Sequence, residues 1–175
     1  MKKPENSDRP LLVLVAGLPG SGKTSFAQRL AAATGACHYN SDLVREAMGL
    51  RGVYDEAAKA RVYRELENKC REALLEKHSV VVDATFYKKQ LRRPYEIMAE
   101  ITGALLVVFV ITAPEEIIRQ RTAKIRPHTD ANFAVYQRIK AEFEPFDQPH
   151  FPLDSGADSL DSMVSKARQL LEKRL

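Results

Sequence analysis

A single stretch, Gly17-Leu18-Pro19-Gly20-Ser21-Gly22-Lys23-Thr24, constrains this chain more than any other. It has the form G-x-x-x-x-G-K-[ST], in which glycines let backbone N–H groups turn inward around phosphate oxygens. Its flanks fit that geometry. Leu11 to Ala16 is an unbroken apolar run, as a buried parallel strand should be, and Ser25 to Ala33 reads as a helix with Phe26, Leu30 and Ala33 along one face. A strand, a glycine loop and a helix N-terminus together make a ready anion site, because the helix dipole adds to the field of the inward N–H groups. Lys23 is then expected to reach the β- and γ-phosphates of a nucleotide, and the Thr24 hydroxyl to hold Mg²⁺. The residues expected to bind the nucleotide are Gly17, Leu18, Pro19, Gly20, Ser21, Gly22, Lys23, Thr24 and Ser25, joined from further along the chain by Arg121.

A length of 175 residues suits one domain with a proper core. No apolar stretch is long enough to span a bilayer, and Met1 to Pro10 lacks the apolar run of a secretory signal, so a loose tail and a cytoplasmic protein are expected. Cys37 and Cys70 have neither metal-ligand spacing nor the density of a disulfide framework. A net charge of +4 suits anionic ligands without pointing to nucleic acid in particular.

Beyond the tail the segments alternate strand and helix, which implies an α/β domain with a mainly parallel sheet. Further strands are expected at Ala36 to Asn40, Ser79 to Asp83, Leu105 to Ile111 and His150 to Leu153. Ser41-Asp42 is expected to cap a helix running through Met48, and Asp55 a long helix reaching Lys77 with Val62, Leu66, Cys70 and Leu74 on its buried stripe. Tyr87 to Thr102 reads as a helix broken at Pro94, and Pro114 opens another to about Ala123. Lys124 to Asp130 reads as a basic mobile loop, followed by a helix over Ala131 to Phe143. Asp158 or Ser159 starts the last helix, which buries Leu160, Met163, Val164, Ala167, Leu170 and Leu171.

In open α/β sheets ligands bind beyond the carboxyl ends of the strands. That rule selects Asp42 and Arg45 after the second strand, Asp83 and Thr85 at the third, and Arg119, Arg121 and Arg126 after the fourth. Asp83 follows three valines, the pattern of an acid that supports Mg²⁺, here through water. Asp42 could take a proton from an attacking hydroxyl while Arg45 holds an anionic group. A helix cap paired with a surface arginine is the plainer alternative. Arg119 and Arg121 sit in a helix that reads as a solvated face, whereas Arg126, in a loop, could close over a transferring phosphate. Lys88, Lys89, Arg92 and Arg93 lie where a substrate would approach, or form an ordinary basic surface. The histidines show no ligand spacing.

Taken together, the phosphate loop, Asn40-Ser41-Asp42-Leu43-Val44-Arg45, Val82-Asp83-Ala84-Thr85-Phe86 and the arginine-rich segment resemble the small P-loop kinases grouped with the kinase domain of phage polynucleotide kinase. The chain looks most similar to a bacterial subgroup of AAA-type ATP-binding predicted kinases, through Val135-Tyr136, Phe143-Glu144-Pro145 and Leu153-Asp154-Ser155. Zeta toxins and chloramphenicol phosphotransferases look like more distant relatives. The resemblance implies a three-layer α/β/α P-loop fold with a five-stranded, mainly parallel sheet. It implies a single kinase domain over 11–175 and an arginine-bearing lid over about 124–145. It implies ATP and Mg²⁺, and phosphoryl transfer to a hydroxyl of a small molecule or nucleic-acid end. By residue, it implies catalytic roles for Lys23, Asp42 and Arg126, acceptor contacts from Asp42, Arg45 and Thr85, and metal support from Thr24 and Asp83. Arg92 is added as an acceptor contact from the basic cluster. An NTP-driven switch without an acceptor, and a toxin kinase of the zeta class, are the alternatives. Monomer and dimer remain equally open.

Overall fold

The computed structural model of the chain describes residues 9–124 and 131–174. Its elements run in the order β1 (Leu11–Gly17), α1 (Lys23–Thr34), β2 (Cys37–Asn40), α2 (Ser41–Ala47), α3 (Glu56–Leu75), β3 (Val80–Asp83), α4 (Lys89–Thr102), β4 (Leu105–Thr112), α5 (Glu115–Thr122), α6 (Phe133–Ala141), β5 (Phe151–Asp154) and α7 (Leu160–Glu172). The five strands make one parallel sheet in the order β2-β3-β1-β4-β5.

The valines and leucines of β1 decide the layering. Successive side chains of a strand point to opposite faces. Leu12 and Leu14 therefore meet Val62, Leu66, Cys70 and Leu74 of α3 and Tyr95 and Met98 of α4 on one side. Val13 and Val15 meet Phe26 and Leu30 of α1 and Met163, Val164, Ala167 and Leu171 of α7 on the other. A strand buried on both faces needs apolar residues at every position, and every residue of β1 is buried. The expected stripe of α3 is fully buried. Asp55 caps that helix, its side chain accepting from the Ala58 amide at 2.8 Å.

Several expectations shift. α1 begins at Lys23 rather than Ser25, and Ala33 is exposed, since the helix packs through Ala27 and Ala31 as well as Phe26 and Leu30. α2 is capped not by Ser41 or Asp42 but by Asn40, whose side chain accepts from the Leu43 amide at 2.8 Å. α4 starts at Lys89 and runs unbroken past Pro94. The proline removes one helical N–H, but Arg92 before it and Tyr95, Met98 and Ala99 after it are all buried, which holds the helix together across that loss. α6 is shorter than expected at both ends, with Asn132 as its cap. Leu160 is exposed and Leu170 half-buried, leaving α7 to dock through the other four expected residues. At the N-terminus, Arg9 donates to the Gly103 and Ala104 carbonyls at 2.7 and 3.3 Å, so the chain is fixed one residue before the expected end of the tail.

This strand order brings three carboxyl ends side by side. Asp83 lies level with Val15 on one flank and Asn40 on the other, and Gly17 level with Ile111. Everything that follows β1, β2 and β3 therefore converges on one edge of the sheet.

Candidate active site

The phosphate loop leaves β1 at Gly17, whose backbone has φ of +146°. A Cβ there would lie 2.3 Å from the Ile111 carbonyl oxygen, so both the conformation and the space require glycine. Gly17→Ala is expected to lower the unfolding free energy by more than about 2 kcal/mol in a urea titration, because neither the backbone of β4 nor the loop can yield. Gly22 ends the loop in the left-handed region and caps α1 with no side-chain oxygen. The first-turn amides of α1 are thus left for an anion. The Ser21 hydroxyl is buried in the loop and has no hydrogen-bond partner among the described residues. The Lys23 ammonium donates to the Leu18 carbonyl at 2.9 Å, bent back over the loop. A buried orphan hydroxyl, uncapped amides and a cation folded over them fit a phosphate group.

The loop is braced from behind. Arg121 donates to the Gly20 carbonyl at 3.3 Å, to Ser155 Oγ at 2.8 Å and to the Ser155 carbonyl at 3.1 Å. Ser155 Oγ in turn donates to the Ser21 carbonyl at 2.6 Å. Arg121 is therefore not on a solvated face: it ties α5 and the turn after β5 to the loop. Ser155 was legible in the sequence only as part of a final-strand pattern. Arg119 lies over the Phe133 ring at 3.9 Å and so joins α5 to α6.

Asp83 is the centre of the site and is 1% exposed. Its Oδ1 accepts from Asn40 Nδ2 at 2.6 Å and from the Thr24 hydroxyl at 3.1 Å, and its Oδ2 meets His38 Nε2 at 2.6 Å. The spacing of the histidines gave no sign of this pairing of His38 with Asp83. Their sequence separation hides it, since adjacent strands join residues far apart in the chain. Thr24 and Asp83 offer two hard oxygens, and among the described residues no cluster of three or more His, Cys, Asp or Glu side chains could enclose a metal. That donor set fits Mg²⁺, which keeps much of its water and is shared with substrate phosphates.

Asp42 sits half-buried in the first turn of α2, directly after β2. Tyr63 of α3 has its hydroxyl 3.5 Å from Thr85 Oγ1. Burial pushes the Tyr63 phenol up to about 12 against the pull of its bonds to Thr85 and Phe86, with Tyr87 and Asp42 adding to the rise. It is a neutral donor at ordinary pH. Phe86 holds φ of +47° while buried between Tyr63 and Tyr95. This strained backbone turns the chain back after Thr85, whose carbonyl accepts from the Gly17 amide at 3.3 Å. Lys59 donates to Tyr87 Oη at 2.6 Å.

A profile of the AAA domain family matches residues 12–146. The chain belongs to this family. An uncharacterized protein of Mycobacterium tuberculosis is 30% identical over 152 residues, a match covering 79% of this chain. The chain spans only 30% of the length of the curated relatives it matches. Among solved structures, a sugar kinase from a Janibacter species has a TM-score of 0.72 at 22% identity, covering 93% of this chain and 95% of that one. The Mycobacterium tuberculosis APS kinase, in complex with AMPPNP and APS, has a TM-score of 0.68 at 20% identity, covering 94% and 98%. At these identities the likeness shows a shared α/β P-loop fold.

Two arginines of this AAA domain depart from what their positions suggest. Arg45 is 7% exposed, donates to the Val53 carbonyl and lies 4.6 Å from the centre of the Tyr54 ring. These contacts hold the connection between α2 and α3. Arg92 is 1% exposed and donates to the carbonyls of Lys88, Glu144 and Pro145 at 3.3, 2.6 and 3.0 Å, with Phe146 4.0 Å beneath it. It is a clasp between α4 and the segment after α6. Lys88 and Lys89 support the same clasp through Glu142 and Asp147. Arg92→Ala is expected to cost about 2–3 kcal/mol in chemical denaturation, since it strips partners from carbonyls and opens a buried space, while nucleotide affinity stays near that of the unaltered chain. Arg126 lies outside the described residues.

Proposed function

We propose that this AAA domain is an ATP-dependent kinase that moves the γ-phosphoryl group to a hydroxyl of a small-molecule, nucleotide or polynucleotide acceptor. The observation that carries the reading is the contact of Thr24 with Asp83 at 3.1 Å, made at the edge where the base-bearing α2 also begins. A nucleotide site and a candidate proton acceptor thus share one floor.

In this reading the loop amides and Ser21 hold the phosphates. Lys23 leaves the Leu18 carbonyl and follows the charge of the γ-phosphate. Mg²⁺, held through Thr24 and Asp83, would supply charge neutralisation across the phosphates. Asp42 takes the proton of the acceptor hydroxyl as the new O–P bond forms and the bond to the β-phosphate oxygen of ADP breaks. Tyr63 and Thr85 orient the acceptor by hydrogen bonds. Arg126 is the arginine to which this proposal assigns neutralisation of the charge on the transferring group. A screen of ADP release across nucleosides, oligonucleotides with 5′-hydroxyls, sugars and aminoglycosides tests it. One class should raise release well above the rate with ATP alone. A rate indifferent to every acceptor would favour an NTPase switch.

A further inference from the structure

Asn40 stands where the metal end and the acceptor end of the site meet. It is the last residue of β2, level with Asp83, and is 5% exposed. Both ends of its amide are used. Nδ2 donates to Asp83 Oδ1 at 2.6 Å and to Thr24 Oγ1 at 3.3 Å. Oδ1 accepts from the Leu43 amide at 2.8 Å and so caps the helix that carries Asp42. An ordinary N-cap needs only the oxygen, and Ser, Thr or Asp would serve as well. Here the two ends of one amide serve two partners, Oδ1 accepting from the helix and Nδ2 donating to the carboxylate, a span that the single oxygen of a shorter hydroxyl does not cover. His38 holds the other oxygen of Asp83 at 2.6 Å, so the carboxylate has little freedom to swing without moving Asn40.

We propose that Asn40 is a positioning residue that couples the two ends: a load placed on Thr24 and Asp83 by MgATP is passed through one amide to the first turn of α2, and with it to Asp42. The idea rests on the kinase reading of Asp83 and Asp42. Its consequence is order of assembly. Asp42 reaches its working position when the metal-bearing nucleotide is in place, which would limit proton abstraction in its absence.

Asn40→Asp and Asn40→Ser test this, because both keep an oxygen for the Leu43 amide, while Asp removes the donor to Asp83 and Ser replaces it with a shorter hydroxyl that does not span from the Leu43 amide to Asp83. Thermal melting followed by circular dichroism should stay within a few degrees of the unaltered chain for Asn40→Ser and fall further for Asn40→Asp, which sets a second carboxylate beside buried Asp83. Two readings should change. The gain in affinity for a fluorescent ATP analogue on adding Mg²⁺ should fall at least about tenfold. Hydrogen exchange of the peptide covering α2, which MgATP should slow in the unaltered chain, should no longer respond in either variant. Variants that keep both the Mg²⁺ gain and the α2 response overturn the coupling while leaving the kinase reading standing. If both variants unfold, the unaltered chain decides: an α2 peptide indifferent to MgATP overturns the coupling. An unaltered chain with no Mg²⁺-dependent nucleotide binding overturns the coupling and the kinase reading together.

Discussion

Lys23→Ala is expected to reduce phosphoryl transfer by on the order of 10²–10³-fold, the loss found when one charge-stabilising donor is taken from a transition state. The side chain starts α1 and bends back to Leu18 at 2.9 Å. It is half-buried, so its removal leaves the core packing of Phe26, Ala27 and Leu30 untouched. Alanine also favours the helix. The melting temperature should therefore hardly move while turnover collapses, and steady-state ADP release beside a thermal melt separates the two. Transfer near the original rate would mean that the loop does not handle the γ-phosphate.

Asp42→Asn should slow transfer by about 10²–10⁴-fold, the usual contribution of a positioned base. Because Asn40 and not Asp42 caps α2, the substitution leaves the cap intact. Asparagine keeps the size of the side chain and gives up only the charge and the ability to take a proton. ATP affinity should stay within about twofold, since in this reading the phosphates are bound by the phosphate loop. Uncoupled hydrolysis should fall far less than transfer, because water needs no positioned acceptor. Preserved transfer with lost stability would return Asp42 to a structural role and send the search for a base elsewhere.

The phosphate loop and its flanks were legible because their meaning is local: glycines, a lysine and a hydroxyl at fixed offsets between a strand and a helix. The strand pattern was legible too, since β1 is apolar at every position. The strand order was not, as equal runs of valine and leucine do not say which neighbours which. What the sequence hid are the contacts that order creates. His38 looked idle because Asp83 lies on the adjacent strand. Arg92 looked like one of four surface cations, but the carbonyls of Glu144 and Pro145 that bury it come from a segment beyond α6. Arg121 read as solvated because a helix rich in charge gives no hint of the loop and turn packed behind it. Asn40 read as a strand end, and its double use follows only from seeing α2 and β3 together.

The central claim is transfer to an acceptor, with Asp42 as the base. ATP labelled in its γ-phosphate, incubated with the acceptor that the screen selects, measures it directly. The account predicts that most of the label enters an organic phosphate with the unaltered chain, and that in Asp42→Asn the flux into that product drops at least about a hundredfold while the trickle into inorganic phosphate persists. Label found only in inorganic phosphate with the unaltered chain, or an organic product formed equally fast by Asp42→Asn, would contradict it.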